Sequence, residues 1–255
     1  MVQVSAGGVG AAIGRPRGRE NEFVLGFGEY AHCTARTSDA RPYNDESEFE
    51  GDQMDERTID ALVGAVAARI FVPVEASGRH VHVTAEQAQV LFGHDLTPDR
   101  PLSQPGQFLA KERVTVVGPK GKFAHVAVLG PARKEAQVEI SLTDGKTLGI
   151  ASPVKLSGDV SGSPGCVLEG TCGKITLDRG VIAARRHIHL TPEDGRQLGV
   201  RDGQVVKLQV FSSRPVIFED TVVRIEPSFK RAAHLDYDEA NACGYRKGDL
   251  GRILP

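Results

Sequence analysis

Two short stretches carry the side chains best suited to chemistry, and they are nearly the same stretch: SGRHVHVT from Ser77 to Thr84 and ARRHIHLT from Ala184 to Thr191. Each places two histidines at i and i+2. On a β-strand this spacing turns both imidazoles to one face, with Cβ atoms about 6 to 7 Å apart, so that both can hold one metal ion. A single pair of this kind is ordinary packing material. A second copy of Arg-His-x-His-x-Thr is hard to produce for packing's sake, which makes His80, His82, His187 and His189 expected metal ligands. Neutral imidazole suits zinc, or another late divalent metal. In register, at a constant offset of 107 (80 to 187), Arg79, His80, His82, Thr84, Glu86 and Leu91 match Arg186, His187, His189, Thr191, Glu193 and Leu198. Six identities in thirteen positions make an internal repeat.

Other residues can complete such a centre. His32, near the N-terminus, is set aside, and His94 in GHDLTP and His125 in FAHVAV read as solvated or structural. His234, in SFKRAAHLDYDEANACG, is the better ligand, because Asp236, Asp238 and Glu239 offer acceptors to orient a ligand imidazole. Glu139 in AQVEIS shares a strand face with Gln137 and Ser141, while Val138 and Ile140 take the other. Alternation alone favours an exposed strand charge there. The preceding GPARKEAQVE puts Arg133 and Lys134 on a loop able to hold an anionic oxygen beside a metal, against the plainer reading of a solvated loop. Cys33, Cys166, Cys172 and Cys243 have no CxxC spacing, so neither a thiolate zinc knuckle nor a disulfide framework is expected. No Cys or Ser stands in a nucleophile-base arrangement, and Cys166 and Cys243 are the poorer alternatives.

These side chains need strands and caps to position them. Across 255 residues, 29 glycines, 14 prolines and no tryptophan suit many short strands and tight turns. About ten segments, among them FVPVEASGRHVHV, ERVTVVGP, AQVEISL, GKTLGIASPVKL, GVIAARRHIHL and VIFEDTVVRIEP, read as strands of a barrel or sandwich. Each His-x-His copy runs into a short helix, through the capping box Thr84-Ala-Glu-Gln and through Thr191-Pro192. The repeat therefore predicts two similar barrel-like units. DERTIDALVGAVAARI predicts an amphipathic helix whose apolar face packs on the core. Residues 1–53 read as a disordered leader, Gly-rich, then Arg-rich, then acidic, and Met54 is an alternative start. The first 60 residues hold six Arg, no Lys and twelve Asp or Glu, leaving 25 basic against 21 acidic residues for the rest. A body this mildly basic suits a phosphorylated small molecule and argues against a nucleic-acid surface. No apolar run of about eighteen residues and no basic-then-apolar start is found, so neither a membrane span nor a secretory signal is expected, and the protein reads as intracellular.

Taken together, SGRHVHVT, LTPDRPLSQPGQFLAKERVTVVGPKG, LGPARKEAQVEIS, ARRHIHLTPED and HLDYDEANACG resemble the PduL-type phosphate acyltransferases, also called phosphate propanoyltransferases. The resemblance runs from about residue 55 to the C-terminus. It implies a mainly β fold of two small β-barrels capped by short helices, with two zinc ions per chain between them. It implies interleaving as well: the strand within 54–78 joins the C-terminal barrel of 184–255, and 79–183 form the central one. The implied reaction converts acyl-CoA (propanoyl- or acetyl-CoA) plus phosphate to acyl phosphate plus CoA. Carried over by motif, the metal ligands are His80, His82, Glu139, His187, His189 and His234, and the phosphate-positioning residue is Arg133. Ser77, Lys111, Arg113 and Asn241 are expected contacts to CoA. A homo-oligomer, and contact of the leader with a bacterial microcompartment shell, follow from the same resemblance, which places the protein in the cytoplasm or a microcompartment lumen. The rival readings are a di-zinc hydrolase of a phosphate ester or amide and a non-catalytic, zinc-stabilised microcompartment module.

Overall fold

A computed structural model describes residues 55–254. The leader expected over 1–53 lies outside the described residues. The chain order begins with α1 (Glu56–Ala68), β1 (Phe71–Ala76), β2 (His80–His82), α2 (Ala85–Phe92), β3 (Pro98–Pro101), β4 (Phe108–Val117), β5 (Lys122–Gly130) and β6 (Gln137–Ile140). It continues through α3 (Leu142–Leu148), β7 (Val154–Lys155), β8 (Cys166–Glu169), β9 (Lys174–Leu177), β10 (Val181–Ala184), β11 (His187–Leu190) and α4 (Pro192–Leu198). The last elements are β12 (Val205–Phe211), β13 (Val216–Ile225), β14 (Ala232–Leu235), α5 (Tyr237–Cys243) and β15 (Leu250–Leu254).

The fold is mainly β, with two cores. β1, β14, β11, β13, β12 and β15 close into a six-stranded barrel around Val72, Ile188, Leu190, Leu208, Val223 and Leu235. The other nine strands form a sheet in the order β7-β10-β6-β2-β5-β4-β8-β9, with β3 on β4, around Val81, Leu91, Val128, Val138, Leu148 and Leu168. One unit is thus a closed barrel and the other an open sheet.

FVPVEASGRHVHV and GVIAARRHIHL, which read as single strands, are each two strands in different sheets. β1 pairs with β14 and β15 of the barrel, yet runs through Ser77–Arg79 into β2 of the open sheet. β10 pairs with β6 and β7 of the open sheet, yet runs through Arg185 and Arg186 into β11 of the barrel. Both crossings bring the chain past the seam where the histidines lie. Gly78 lets the Tyr237 ring close over the first crossing: a Cβ there would come within 2.5 Å of its hydroxyl and displace the ring.

Four helices follow one rule. Thr84, Ser141, Thr191 and Asp236 are N-caps whose side chains accept from the N3 backbone N–H, while the N3 residues Gln87, Asp144, Asp194 and Glu239 reach back to the cap N–H. Each such helix stops at a left-handed glycine, Gly93, Gly149, Gly199 or Gly244, where no Cβ opposes the positive φ. α3 takes the place of the turn and strand start expected between AQVEISL and GKTLGIASPVKL; the Ser141/Asp144 capping box and Gly149 override that expectation. α1 forms where expected but packs differently: among the described residues none of its side chains is buried, and Leu62 and Val63 are 54% and 60% exposed.

Candidate metal centre

Alternation along four strands builds the site. In β2 and β11, Val81, Ile188 and Leu190 enter the cores with no exposure. His80, His82, His187 and His189 consequently face the opposite way. The neighbouring antiparallel strand brings the third member of each group: Glu139 lies directly across from His80, and His234 directly across from His187. Two buried triads result, His80–His82–Glu139 and His187–His189–His234, each with its ligand atoms within 4.8 Å of one another. Both line one cavity of about 520 Å³.

The framework behind the triads is also repeated. His80 Nδ1 donates to the Gly78 carbonyl and His187 Nδ1 to the Arg185 carbonyl, each at 2.8 Å. That hydrogen bond fixes the ring and leaves Nε2 free to ligate. Two residues after each third ligand stands a helix cap, Ser141 or Asp236. The repeat's arginines hold these helices instead of facing a ligand alone. Arg79 grips Asp144 (Nε 3.1 Å, Nη2 2.8 Å) and lies 4.1 Å over the Phe123 ring; Arg186 bonds Glu239 at 2.7 Å and lies 5.8 Å from Phe218. Glu139, Phe123, Ser141 and Asp144 precede His234, Phe218, Asp236 and Glu239 by the same 95 residues (139 to 234, 144 to 239).

The second triad fits a metal on its own chemistry. Both ring nitrogens of His189 are buried without a hydrogen-bond partner. Leaving such a group unsatisfied costs about 1–3 kcal/mol, which a metal bond would remove. Burial, with the neighbouring His187, pushes His189 down to about 2, and burial does the same to His234, down to about 3. These rings are neutral at pH 7 and offer lone pairs. His187 is lowered too, mainly by burial.

The first triad is charged. Burial pulls His80 down, but the Glu139 carboxylate, 3.5 Å from Nε2, outweighs it and raises the net value. Burial pushes Glu139 up, yet His80 and His82 hold it well below the usual carboxylate range. His82 is pushed down to about 2, first by burial and then by His80. A cation bound at this triad would displace the proton that the Glu139 carboxylate favours on His80. An exposed strand charge at Glu139 is overturned: the residue is 6% exposed.

Arg133 lines the cavity, its Nη1 donating to Ser157 Oγ at 3.2 Å, and burial lowers its pKa. Gln137 ties the same corner together, donating from Nε2 to Glu139 Oε1 (2.5 Å) and Ser157 Oγ (2.9 Å) and accepting from Gly158 N. Period-two reading put Gln137 on Glu139's face, which is the signal that could have found it. Ser77 also lines the cavity; Lys111, Arg113 and Asn241 do not. Lys111 and Asn241 are exposed on β4 and α5, and Arg113 Nη1 bonds the Ala110 and Glu112 carbonyls. The acids expected to orient His234 are spent elsewhere: Asp236 caps α5, Asp238 accepts from Ser141 and Thr143, and Glu239 takes Arg186. Glu75 stands beside His234 instead, 3.7 Å from Nδ1, and receives Ser103 Oγ at 2.6 Å. Gln104 Nε2 donates toward His234 Nε2 at 3.5 Å. Sequence gave no sign of Glu75, because its register with His234 joins distant strands. His94 and His125 are exposed and away from the cavity.

Comparison with known proteins bears on this arrangement. The family model described as phosphate propanoyltransferase matches residues 73–246. The chain is 48% identical over 198 residues to the phosphate propanoyltransferase of Clostridioides difficile (77% of this chain, 95% of that one). It is 50% identical over 197 residues to that of Leptotrichia buccalis (76% and 93%), and 48% over 207 residues to that of Listeria monocytogenes (79% and 97%).

Proposed function

The chain belongs to the phosphate propanoyltransferase family and is a phosphate acyltransferase; from that premise we propose that its cavity interconverts acyl-CoA plus phosphate with acyl phosphate plus CoA, using two zinc ions per chain. The observation that carries this reading is the pair of buried triads facing one cavity. His80, His82 and Glu139 hold one ion, and His187, His189 and His234 the other. Bound there, zinc supplies Lewis acidity, polarising a carbonyl and lowering the pKa of a thiol.

The chain's own residues do the rest. Arg133, steadied by Ser157, binds phosphate oxygens and aligns one of them with the thioester carbonyl carbon. That oxygen forms the new C–O bond, the C–S bond breaks, and CoA leaves as thiolate. Phosphate attacks directly. Among the described cysteines none lines the cavity, burial pushes the Cys166 thiol up to about 12, and burial raises Cys243, whose Sγ donates to the Ala240 carbonyl. Ser77 meets the pantetheine arm, while exposed Lys111 and Asn241 are left the distal nucleotide end of CoA. Strand pairing of β1 with β14 and β15 supports dividing the chain into 79–183 and 184–255, with the strand of 54–78 lent to the latter.

Metal-loaded protein given acetyl- or propanoyl-CoA tests the proposal through thiol release, alongside metal analysis. Release that requires phosphate and yields acyl phosphate is expected. Release without phosphate would mean hydrolysis, and no release a non-catalytic module. An isolable acyl-enzyme would overturn direct attack. Among the described residues no helix is long and apolar enough to cross a membrane. Homo-oligomer formation and lumenal packaging in a microcompartment through residues 1–53 complete the proposal; unchanged packaging of a form starting at Met54, expressed beside shell proteins, would remove the leader's role.

A further inference from the structure

We propose that Arg224 is the second guanidinium of the phosphoryl subsite, holding with Arg133 the inorganic phosphate used in one direction and the phosphoryl group of acyl phosphate in the other. The proposal rests on the acyltransferase reading and deepens it.

Arginines in and around the cavity differ in how far they are already committed. Arg79 is bound to Asp144, Arg186 to Glu239, and Arg133 gives one nitrogen to Ser157. Arg100 lines the cavity from β3, where it is exposed. Arg224 is half-buried, lines the cavity, and has no carboxylate within ion-pair reach among the described residues. Its neighbour is the Phe229 ring, 5.5 Å from the guanidinium carbon. The same ring stacks on His189 with centroids 3.9 Å apart. Arg224, Phe229 and His189 are therefore linked through one ring, and Arg224 lies across from His189 in the β11–β13 register. The register and the ring contact place the side chain at the cavity, and among the described residues its donors have no hydrogen-bond partner.

Arg224 lines the same cavity as both triads and as Arg133, and its register partner is a member of the second triad. A guanidinium beside the triads meets the transferred group and not the phosphates of CoA, because the whole pantetheine arm separates CoA's pyrophosphate from its sulfur. Phosphate at neutral pH carries between one and two negative charges, and two planar N–H forks, one from the barrel and one from the open sheet, match its oxygens better than one partly occupied fork.

Steady-state kinetics of the holoenzyme in both directions tests this, with Arg224→Gln, Arg224→Lys and Arg133→Gln compared. Arg224→Gln should raise KM for phosphate and for acyl phosphate about 10- to 100-fold. KM for acyl-CoA and CoA should stay within about twofold and bound metal per chain should not change. Arg224→Lys should fall between, keeping the charge but losing the fork. Phosphate should raise the melting temperature of the native protein and not of the Arg224→Gln form. A shift in the CoA constants instead, a loss of metal, or unaltered phosphate constants would overturn the proposal. If Arg133→Gln alone raises KM for phosphate, Arg224 falls and the acyltransferase reading stands; if the native protein makes no acyl phosphate, that reading itself falls.

Discussion

The two triads are the same construction with one changed side chain. In both, the first histidine of a His-x-His strand faces the third ligand across an antiparallel pair, a main-chain carbonyl orients its ring, and a capped helix begins two residues after the third ligand. With every imidazole neutral, as metal ligation requires, Glu139 makes the first ligand set anionic and His234 leaves the second neutral. A divalent cation would therefore leave about one positive charge at the first and two at the second. The more electropositive side is the one flanked by Arg224, which suits an anion bound there. Their surroundings differ as well: Gln137 satisfies Glu139, whereas His189 stands without a hydrogen bond. A repeated scaffold can thus carry two sites of unequal electrostatics, provided one ligand type changes.

Removing one ligand from either triad is the severest way to break the comparison. His82→Gln and His189→Gln should each lower bound metal from two per chain to one and kcat/KM by about 10³-fold or more. Loss of both metals from one substitution would mean a single cluster and not two sites. Glu139→Gln keeps the shape and removes the charge, so a smaller loss of metal affinity, about 10- to 100-fold, is expected at the first site by metal-competition titration.

A pH experiment separates the triads next. His189, His234 and His82 have folded-state values far below the ordinary 6.5, so the unfolded chain takes up protons that the folded chain refuses. The contribution of these three groups to the stability of the metal-free protein is full above pH 6.5 and falls as pH drops toward about 2. His80 acts oppositely: its raised value adds stability below pH 6.5 that is lost as pH rises through it. Urea unfolding with a chelator, at pH 7 and 5.5, should show acid destabilisation. Glu139→Gln, by releasing His80 from its partner, should make that destabilisation steeper, and His189→Gln should make it shallower.

The smallest effects concern the paired arginines. Arg79 holds a buried Asp144 through two bonds with Phe123 close beneath, while Arg186 bonds Glu239 once and the Glu219 carbonyl at 2.6 Å. Arg79→Ala should cost about 1–2 kcal/mol and Arg186→Ala about 1 kcal/mol, read as denaturation midpoints, with two metals retained in both. The reverse order would show that the cation–π contact and second bond at Arg79 add nothing.

Much of this centre could be read along the chain because it depends on local spacing. Two residues apart on a strand means one face, whatever the strand pairs with, so the four repeat histidines and their shared direction followed from RHVH and RHIH. Ser141-Leu-Thr-Asp144 and Gly149 also announced α3, but flanking apolar residues suggested strand. What spacing does not contain is the partner. The 95-residue relation between Glu139 and His234 is invisible as a repeat because AQVEISL and AAHLDYD share little, and the amphipathicity of α1 does not by itself bury its apolar face, which is exposed among the described residues. Nearby acids looked like partners of His234, yet helix caps and Arg186 claimed them first.

The sequence by itself determined which side chains share a face, where the helices after the two His-x-His copies begin, and that metal-binding residue types occur twice. Tertiary structure alone decided that β1 pairs with β14 and β15 of the barrel while β2 joins the open sheet, that Glu139 meets His80 and His234 meets His187, and that Arg224 reaches the cavity while Arg113 does not. Facing direction and capping are set by covalent geometry within a few residues. Strand partners are chosen by burying two cores at once, and that choice couples residues more than a hundred positions apart.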